Sequence, residues 1–310
     1  TTAWKQFKAD CKEYNIKAIF AHNASFDYRA LNNTLRYLTG SKNRYFYPYG
    51  IELWDTLKMS ADAIGTLKGY KQAKKIIQEF KPDIVIGTGG YICGATISAA
   101  HSLGIPTILH ESNAFPGKAV KMLASKTNTI LVSFKDAKYR IKNAKNIIYT
   151  GTPVKITRKE YGINEKLQII KTAGLSEIKP IVLIFGGSQG AQKINEAILG
   201  ILKNKLNKEY QIMWATGPKQ YDIIKTRLQD NNISINNIEN ARIVPYIYNM
   251  EEIMNVSNLI VARSGAMTIT EISNLGKPSI LIPLPNVSGN HQLYNAKVLE
   301  NVKAAKIVLN

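Results

Sequence analysis

The chain of 310 residues is 45% hydrophobic and 20% charged, a balance typical of a globular protein that is long enough for two domains with sizeable cores. No apolar run reaches the roughly 18 residues that a membrane-spanning helix needs, and the first residues lack the apolar core of a signal peptide. The formal net charge is +19.

Charge and cysteine content say more about the environment of the protein. Residues 121–160 carry ten Lys or Arg against Asp136 and Glu160. Such a segment attracts nucleic acid, anionic lipid headgroups or polyphosphate alike, and solvated Lys-rich faces explain it equally well. Two cysteines and four scattered histidines indicate neither a disulfide framework nor a metal cluster, which suits a reducing cytoplasm.

The first predicted elements are a strand at residues 16–21, followed by a polar turn, and an amphipathic helix after residue 66. The helix interleaves lysines with the apolar residues Leu67, Tyr70, Ile76, Ile77 and Phe80. We predict that this face lies on anionic headgroups. Packing of the apolar side on a sheet is the alternative.

From residue 81 onward, strands alternate with Gly-rich loops and helices, which indicates parallel sheets. Helices are predicted at 95–103 and 192–202, after Gly265 and from His291. Strands are predicted at 83–86, 106–109, 129–132, 181–185, 211–214, 241–244, 259–262, 279–282 and 304–310. Two similar strand-to-glycine openings, at 81–90 and 179–187, predict two Rossmann-like domains with a hinge at 151–158.

Residues 257–296 combine several chemical features. A strand ends at residues 263–265, the next helix carries Glu271 two turns in, and His291 and Gln292 open a further helix. A helix N-terminus with small residues binds phosphate well, and a carboxylate can accept from both hydroxyls of a ribose. An ordinary strand–helix–strand unit, with Glu271 in an exposed salt bridge, is the alternative. The combination indicates a nucleotide-sugar site.

A second Gly-rich loop, FGGSQGA at residues 185–191, follows a strand and opens a helix. Glycines let the backbone approach a diphosphate, and the hydroxyl of Ser188 can donate a hydrogen bond to it. A tight turn for helix–sheet packing is the alternative.

Ordered motifs resemble the MurG family, the N-acetylglucosaminyltransferases that act on undecaprenyl-diphospho-muramoylpentapeptide in peptidoglycan synthesis. They are GTGGY with HESN (87–91, 110–113), TGTPVK (150–155), FGGSQGA (185–191), and RSGAMTITE with HQLYNA (263–271, 291–296). The resemblance extends from about residue 66 to the last residue. It implies an α/β protein with two Rossmann-like domains of the glycosyltransferase B type, an acceptor and membrane-side domain at 63–157 and a donor domain at 158–310.

The resemblance also implies an inverting transfer without metal or cofactor, in which UDP-N-acetylglucosamine is the donor and the undecaprenyl-linked muramoyl pentapeptide is the acceptor. The implied place is an anionic membrane surface, peripheral to the cytoplasmic face, and no nucleic acid is expected. By this resemblance, the acceptor diphosphate is bound by Gly87, Gly89, Gly90 and Tyr91. The residues that the resemblance implies for the donor are Asn113, Lys155, Ser188, Gln189, Ile247, Arg263, Ser264, Gly265, Ala266, Met267, Thr268, Glu271, His291 and Gln292.

Individual roles follow from the same resemblance. The backbone at Ile247 contacts uracil, Arg263 helps to close over the base, Glu271 takes the ribose hydroxyls, and Asn113, His291 and Gln292 reach the sugar. Lys155 stands where the family commonly has Arg, and His291 where it often has Gln. Glu111 and His110 are expected to order their loop, with direct catalysis by Glu111 as the alternative, and His101 is expected at the surface.

The chain departs from the family pattern at both ends. It lacks the Gly-Gly-Thr-Gly-Gly-His loop that carries the family's candidate base, so no catalytic residue is assigned. Residues 1–62, and above all His22 to Asp27, resemble a fragment of a proofreading-type three-prime exonuclease. We therefore expect a join between about 59 and 66, a foreign N-terminal fragment, a first domain without its N-terminal part, a truncated C-terminal end and impaired transfer.

Two other functions stay open at this point. One is a nucleic-acid enzyme, which the basic charge favours and which the missing carboxylates of its metal site oppose. The other is a non-catalytic binding module for a UDP-sugar, which binding measured with and without transfer would distinguish.

Overall fold

A computed structural model of the chain describes residues 18–21, 52–55, 67–90, 92–187, 190–235, 238–285 and 287–309. Two short parallel strands, β1 (Ala18–Ala21) and β2 (Glu52–Asp55), pair with each other. Strand β1 falls within the strand predicted at 16–21. The exonuclease-like turn at 22–27 and the expected join at 59–66 lie outside the described residues.

A four-stranded sheet comes next, with the strand order β3-β4-β5-β6 and with β3 and β4 parallel. Leu109, Ile130 and Val132 of this sheet are fully buried, as is Ile97 on the helix Ile92–Ser102. The elements of this part are α1 (Leu67–Phe80), β3 (Val85–Gly87), α2 (Ile92–Ser102), β4 (Thr107–Glu111), α3 (Lys118–Leu123), β5 (Thr129–Val132), α4 (Lys135–Lys138) and β6 (Ile147–Tyr149).

The rest of the described chain builds a six-stranded sheet with helices between its strands. The elements are α5 (Ile163–Thr172), β7 (Ile181–Phe185), α6 (Gln192–Lys203), β8 (Gln211–Ala215), α7 (Pro218–Gln229), β9 (Ala241–Val244), α8 (Met250–Val256), β10 (Leu259–Ala262), α9 (Ala266–Leu275), β11 (Ser279–Leu281), α10 (His291–Asn301) and β12 (Ala305–Ile307). The strand order is β12-β11-β10-β7-β8-β9, and all five pairs of neighbouring strands are parallel. Strands β7 and β8 are almost continuously apolar because both faces of a parallel sheet are covered.

The order of the strands positions the site. From β7 the chain moves through β8 to β9 on one side, and it then returns to place β10 on the other side of β7. Ligands of open parallel sheets bind outside the carboxyl ends of the strands where the order reverses in this way. The loops after β7 and β10, at residues 186–191 and 263–265, start from these two strand ends.

Residue contacts divide the chain into two compact units. Among the described residues, the first unit comprises those up to His110, together with Lys118–Ile130 and Asn143–Asn146, and the second comprises Glu111–Gly117, Leu131–Lys142 and Ile147 onward. The domain limits predicted at 62/63 and 157/158 stay predictions. In the described part of the chain, no helix is both long and apolar enough to cross a membrane.

The predicted strands and helices from residue 81 onward are confirmed to within a few residues. Short elements such as β6 were not predicted. The prediction for α1 is partly wrong, because Ile76 and Ile77 are buried at 7% and 5% exposure and α1 packs against α2. These two side chains therefore belong to the core and do not face a membrane.

Candidate functional site

The loop after β7 is a close-packed turn that only glycine can form. Gly190 has a φ of 78° and donates its N–H to the carbonyl of Gly187 at 3.0 Å. A Cβ atom at Gly190 would collide with the carbonyl oxygen of Thr216, at the end of β8. The loop thus packs its backbone against the end of β8 before α6 begins. Ser188 and Gln189 lie outside the described residues, so their diphosphate contacts stay predictions.

Asn195 anchors this loop and was missed by the sequence analysis. It is buried in the second turn of α6. Its Nδ2 donates to the carbonyl of Thr216 at 2.9 Å, and its Oδ1 accepts from Nε1 of the buried Trp214 at 3.1 Å. The amide therefore fixes α6 to the end of β8, directly beside the point that Gly190 approaches.

Arg263 follows β10 and spans the end of the neighbouring strand. Its Nη1 donates to the carbonyls of Ile282 and Pro283 at 3.0 and 3.1 Å. Burial lowers the pKa of its guanidinium, and its Nε is buried with no hydrogen-bond partner among the described residues. Arg263 thus fastens the loop after β11, and its contact with a base stays a prediction.

The N-terminus of α9 carries no side-chain cap. Gly265 is the N-cap residue, with extended backbone angles, and no side chain in the described part of the chain forms a cap hydrogen bond there. The N–H groups of that turn, from Ala266, Met267 and Thr268, therefore point out of the helix end with the positive end of its dipole. Met267 is 44% exposed. This end of α9 has the chemistry of an anion site.

Glu271 lies in the second turn of α9 and is half-buried. Its carboxylate forms no hydrogen bond or ion pair with any residue that the structure describes, so none of these residues supplies the partner of the salt-bridge alternative. Burial raises the pKa of this carboxyl above its ordinary value. A carboxylate that is partly withdrawn from water without a partner is unfavourable, and hydroxyl donors from a ligand would correct this.

The start of α10 adjoins the α9 loop. The buried hydroxyl of Ser264 donates to the carbonyl of Gln292 at 2.8 Å. Oε1 of Gln292 accepts from the N–H of Leu284 at 2.9 Å. His291 is the first residue of α10 and half-buried. The structure thus brings the predicted residues 263–268, Gln292 and Glu271 into one region of the second unit.

Glu111 organises the loop at 111–117, which belongs to the same unit. Its Oε1 accepts from the backbone N–H of Asn113 at 2.9 Å and from Nδ2 of Asn113 at 3.1 Å. Its Oε2 accepts from the N–H of Gly117 at 2.7 Å. The prediction that Glu111 orders its loop is confirmed.

Asn295 completes the region and was not predicted. This fully buried side chain lies on α10, one turn after His291 and Gln292. Its Nδ2 donates to Oδ1 of Asn113 at 3.1 Å and to the carbonyl of Ser264 at 3.2 Å, and its Oδ1 accepts from the N–H of Ala114 at 2.8 Å. The spacing of three and four residues from the predicted pair, which places all three on one helix face, was the available signal.

In the first unit, the glycine loop after β3 starts in a tightly packed position. A Cβ at Gly87 would lie 3.0 Å from Sγ of Cys93 and 3.1 Å from a methyl of Leu109. The thiol of Cys93 donates to the carbonyl of Gly89 at 2.8 Å, and burial raises the pKa of that thiol. Gly89 and Gly90 complete the turn into α2, whereas Tyr91 lies outside the described residues.

Three other predicted positions are placed as follows. Ile247 is 3% exposed and packs in the core, which leaves its backbone as the group that a base could contact. Lys155 is exposed, and the carbonyl of the next residue, Ile156, accepts from Nδ2 of Asn274 on α9 at 2.8 Å; the donor contact of Lys155 stays a prediction. His101 is exposed at the last turn of α2, as predicted.

Comparison with known proteins shows the family to which the chain belongs. A model of the glycosyltransferase family 28 C-terminal domain matches residues 181–310, and one of the N-terminal domain of that family matches residues 50–132. The UDP-N-acetylglucosamine–N-acetylmuramyl-(pentapeptide) pyrophosphoryl-undecaprenol N-acetylglucosamine transferase of Ruminiclostridium cellulolyticum is 40% identical over 256 residues, which cover 81% of this chain and 69% of the relative. The chain belongs to the MurG family of glycosyltransferases.

Other comparisons agree with this membership. The enzyme of the same name from Caldanaerobacter subterraneus is 40% identical over 260 residues, with 81% of this chain and 69% of the relative covered. The crystal structure of Acinetobacter baumannii MurG has a TM-score of 0.65 at 24% identity and covers 94% of this chain and 84% of its own. The prediction of a two-domain α/β fold of the glycosyltransferase B type is confirmed, and this MurG-family chain is a family 28 glycosyltransferase.

Proposed function

We propose that this chain transfers N-acetylglucosamine from UDP-N-acetylglucosamine to a lipid-linked N-acetylmuramyl pentapeptide, the compounds that the names of its relatives state. The observation that carries the proposal is the half-buried carboxylate of Glu271, which lacks a partner among the described residues and stands behind the uncapped N-terminus of α9. An anion site beside a carboxylate that can accept hydrogen bonds from ribose hydroxyls fits a nucleoside diphosphate.

The donor-binding roles proposed here are those that the resemblance to the family implies, and the geometry is compatible with them. The first N–H groups of α9 and the loop at 186–191 hold the diphosphate, and Glu271 accepts hydrogen bonds from the ribose hydroxyls. The backbone at Ile247 contacts the uracil edge, and Arg263 closes over the base. Asn113, His291 and Gln292 contact the sugar. The hydrogen bonds that link Ser264 to α10 and Asn295 to Asn113 support this grouping.

The reaction is a direct displacement with inversion. A hydroxyl of the muramoyl sugar forms a bond to the anomeric carbon, the bond from that carbon to the diphosphate breaks, and the hydroxyl proton passes to a base. UDP leaves with the electron pair. Negative charge grows on the diphosphate in the transition state, and N–H groups fixed at a helix end stabilise it without having to reorganise.

The acceptor diphosphate is assigned to the loop at Gly87, Gly89 and Gly90, in the first unit. Its backbone is held by β3 on one side and by the thiol of Cys93 on the other. Backbone N–H groups in such a turn form a concave anion site.

We also propose that the chain lies on an anionic membrane surface. The basic segment 121–160 exposes 84% of Tyr139 and 54% of Tyr149, and Nζ of Lys135 lies 5.5 Å from the centroid of the Tyr149 ring. Aromatic rings beside lysines suit a headgroup layer, where each basic residue contributes about 1 kcal/mol.

Co-sedimentation with vesicles tests the membrane surface. Wild-type protein should sediment with vesicles of anionic lipid and not with those of neutral lipid, and Lys135→Glu with Lys138→Glu should weaken this binding. The charge-matched control is Lys203→Glu with Lys205→Glu, two exposed positions outside the basic segment. Equal sedimentation with the two kinds of vesicle would refute the proposal.

A transfer assay tests the function as a whole. Label from UDP-N-acetylglucosamine should move to a lipid-linked muramoyl pentapeptide and not to water, at a rate lowered by the impairment that the sequence predicts. Binding of UDP-N-acetylglucosamine without transfer would favour a binding module, and a folded chain that does not bind it would remove the proposal altogether.

A further inference from the structure

Two neighbouring residues of α10, Tyr294 and Asn295, contact two neighbouring residues of the loop at 111–117, Phe115 and Ala114. Asn295 accepts from the N–H of Ala114 at 2.8 Å, and the ring of Tyr294 stacks on Phe115 with centroids 4.6 Å apart and planes at 22°. The guanidinium of Arg140 lies 5.3 Å from the centroid of the Tyr294 ring and donates to the carbonyl of Ala114 at 3.4 Å. The loop is thus held through its backbone and through a stacked side chain.

The amide of Asn295 uses all its hydrogens. One N–H goes to Oδ1 of Asn113 and the other to the carbonyl of Ser264. Ser264 immediately precedes Gly265, the N-cap residue of α9. One buried side chain therefore touches both the loop that carries Asn113 and the backbone that leads into the anion site. A buried amide whose donors and acceptor are all paired resists any shift of its partners, since each broken bond leaves a buried polar group unpaired.

We propose that Asn295 is a positioning residue that sets Asn113 at a fixed distance from the N-terminus of α9, so that the sugar and the diphosphate of one donor molecule are recognised together. The inference rests on the proposed function, because it assigns Asn113 to the sugar. Tyr294 supports the same alignment by stacking on Phe115. Neither residue needs to touch the donor for this role.

The role predicts a specific change in ligand preference. UDP engages α9 and Glu271 but has no N-acetylglucosamine, so its binding does not depend on the position of Asn113. In Asn295→Asp the carboxylate still accepts from Ala114 but faces the oxygens of Asn113 and Ser264 and repels them. The ratio of UDP-N-acetylglucosamine affinity to UDP affinity should then fall by about tenfold, the size of one hydrogen bond.

Calorimetric titration of the full chain with UDP and with UDP-N-acetylglucosamine measures this ratio. The matched control is Asn207→Asp, because Asn207 is also buried and donates to two backbone carbonyls, those of Glu239 and Asn240 at 3.2 and 3.1 Å, at the amino ends of β8 and β9. It should leave the ratio unchanged. A purely structural role for Asn295 would weaken the two ligands equally and would overturn the proposal.

A second variant covers the case in which Asn295→Asp does not fold. Tyr294→Leu, at a half-buried position, removes the stack and should lower the same ratio by about threefold, since an aromatic pair contributes roughly 0.5–1.5 kcal/mol. A folded Tyr294→Leu protein with an unchanged ratio also overturns the proposal. A wild-type chain that binds UDP but not UDP-N-acetylglucosamine would refute the proposed function itself, a different outcome from an unchanged ratio.

Discussion

Two polar side chains on neighbouring helices differ in how their hydrogen bonds are met. Asn295 on α10 is fully buried and fully paired. Glu271 on α9 is half-buried, and no residue in the described part of the chain pairs with it. The paired residue stabilises the architecture, whereas the unpaired one costs stability in the absence of ligand. This division is typical of a site that keeps one group ready for a ligand.

Glu271→Gln should therefore stabilise the ligand-free protein at neutral pH. Because burial raises the pKa of Glu271, its contribution to folding is full below the ordinary glutamate pKa and is lost as the pH rises through the raised value. With screening of this half-exposed group, we expect the variant to gain about 1 to 2 °C in Tm at pH 7.

The gain in Tm of Glu271→Gln over wild type should vanish below about pH 4, where the glutamic acid of the wild type is as neutral as the glutamine of the variant. Glu252→Gln is the control of equal charge, because Glu252 is exposed and accepts from Nδ2 of Asn249 at 3.0 Å; it should not raise Tm. Thermal melts across pH measure both. A lower Tm for Glu271→Gln at pH 7 would show that the carboxylate has a stabilising partner.

The sequence predicted the residue types at the carboxyl ends of the strands but not their partners. Glycine, serine and glutamate at residues 264–271 signal a phosphate and ribose site through chemistry that a motif preserves. Asn295 carries no such signal, since a polar residue on a helix is exposed far more often than buried. Only the packing of α10 beside residues 111–117 shows that its amide is enclosed.

At the scale of elements, the loop between β7 and α6 depends on backbone geometry. Gly190→Ala should destabilise the protein by about 2 kcal/mol or more, because a Cβ at positive φ would also strike the carbonyl of Thr216. Gly200→Ala is the matched control in α6, where a Cβ meets no atom within 4 Å; it should stabilise by about 0.5–1 kcal/mol. Urea unfolding measures both, and equal effects would contradict the assigned turn.

The segment after residue 156 is fastened to α8. Oε1 of Glu251 accepts from the N–H and the hydroxyl of Thr157 at 3.3 and 3.2 Å, and its Oε2 accepts from Nζ of Lys159 at 3.0 Å. Nδ2 of Asn255 donates to the carbonyl of Thr157 at 2.9 Å. Although burial opposes the charge, the bonds to Lys159 and Thr157 prevail and lower the pKa of Glu251.

Glu251→Gln should lower Tm slightly at neutral pH. A carboxyl with a lowered pKa stabilises the fold above its ordinary pKa, and this contribution is lost as the pH falls through the lowered value. The gap between variant and wild type should therefore close in acid, and it should shrink at high salt because the pair with Lys159 is exposed. A difference in Tm that persists at low pH would show that the loss of stability does not come from the charge of Glu251.

The elements also show where sequence patterns are ambiguous. Strands β7, β9 and β10 were predicted at their observed limits because apolar runs between glycine loops have few alternatives. Helix α1 was misassigned in part, because lysines between apolar residues look the same whether the apolar side meets lipid or protein. Because Ile76 and Ile77 are buried and α1 packs against α2, these two side chains contact protein and not lipid.

At the scale of the whole molecule, the reversal of strand order beside β7 gathers the site. It brings the loops after β7 and β10 to adjacent strand ends, and the helices that follow them, α6 and α9, begin there. The fold class could be predicted from alternating strands and helices, whereas the strand order and its reversal beside β7 are seen only in the structure. The anchoring of residues 111–117 to α10 could not be predicted either, because those residues are some 180 positions apart in the chain and no local pattern links them.

The central claim is that α9 and Glu271 bind the nucleotide of UDP-N-acetylglucosamine. Calorimetric titration of the wild-type chain, Glu271→Gln and Glu252→Gln with this ligand tests it most directly. The account predicts that wild type and Glu252→Gln bind with the same affinity and that Glu271→Gln binds more weakly by about 1–3 kcal/mol, the cost of losing hydrogen bonds to a charged acceptor. Equal affinity of all three proteins would contradict it.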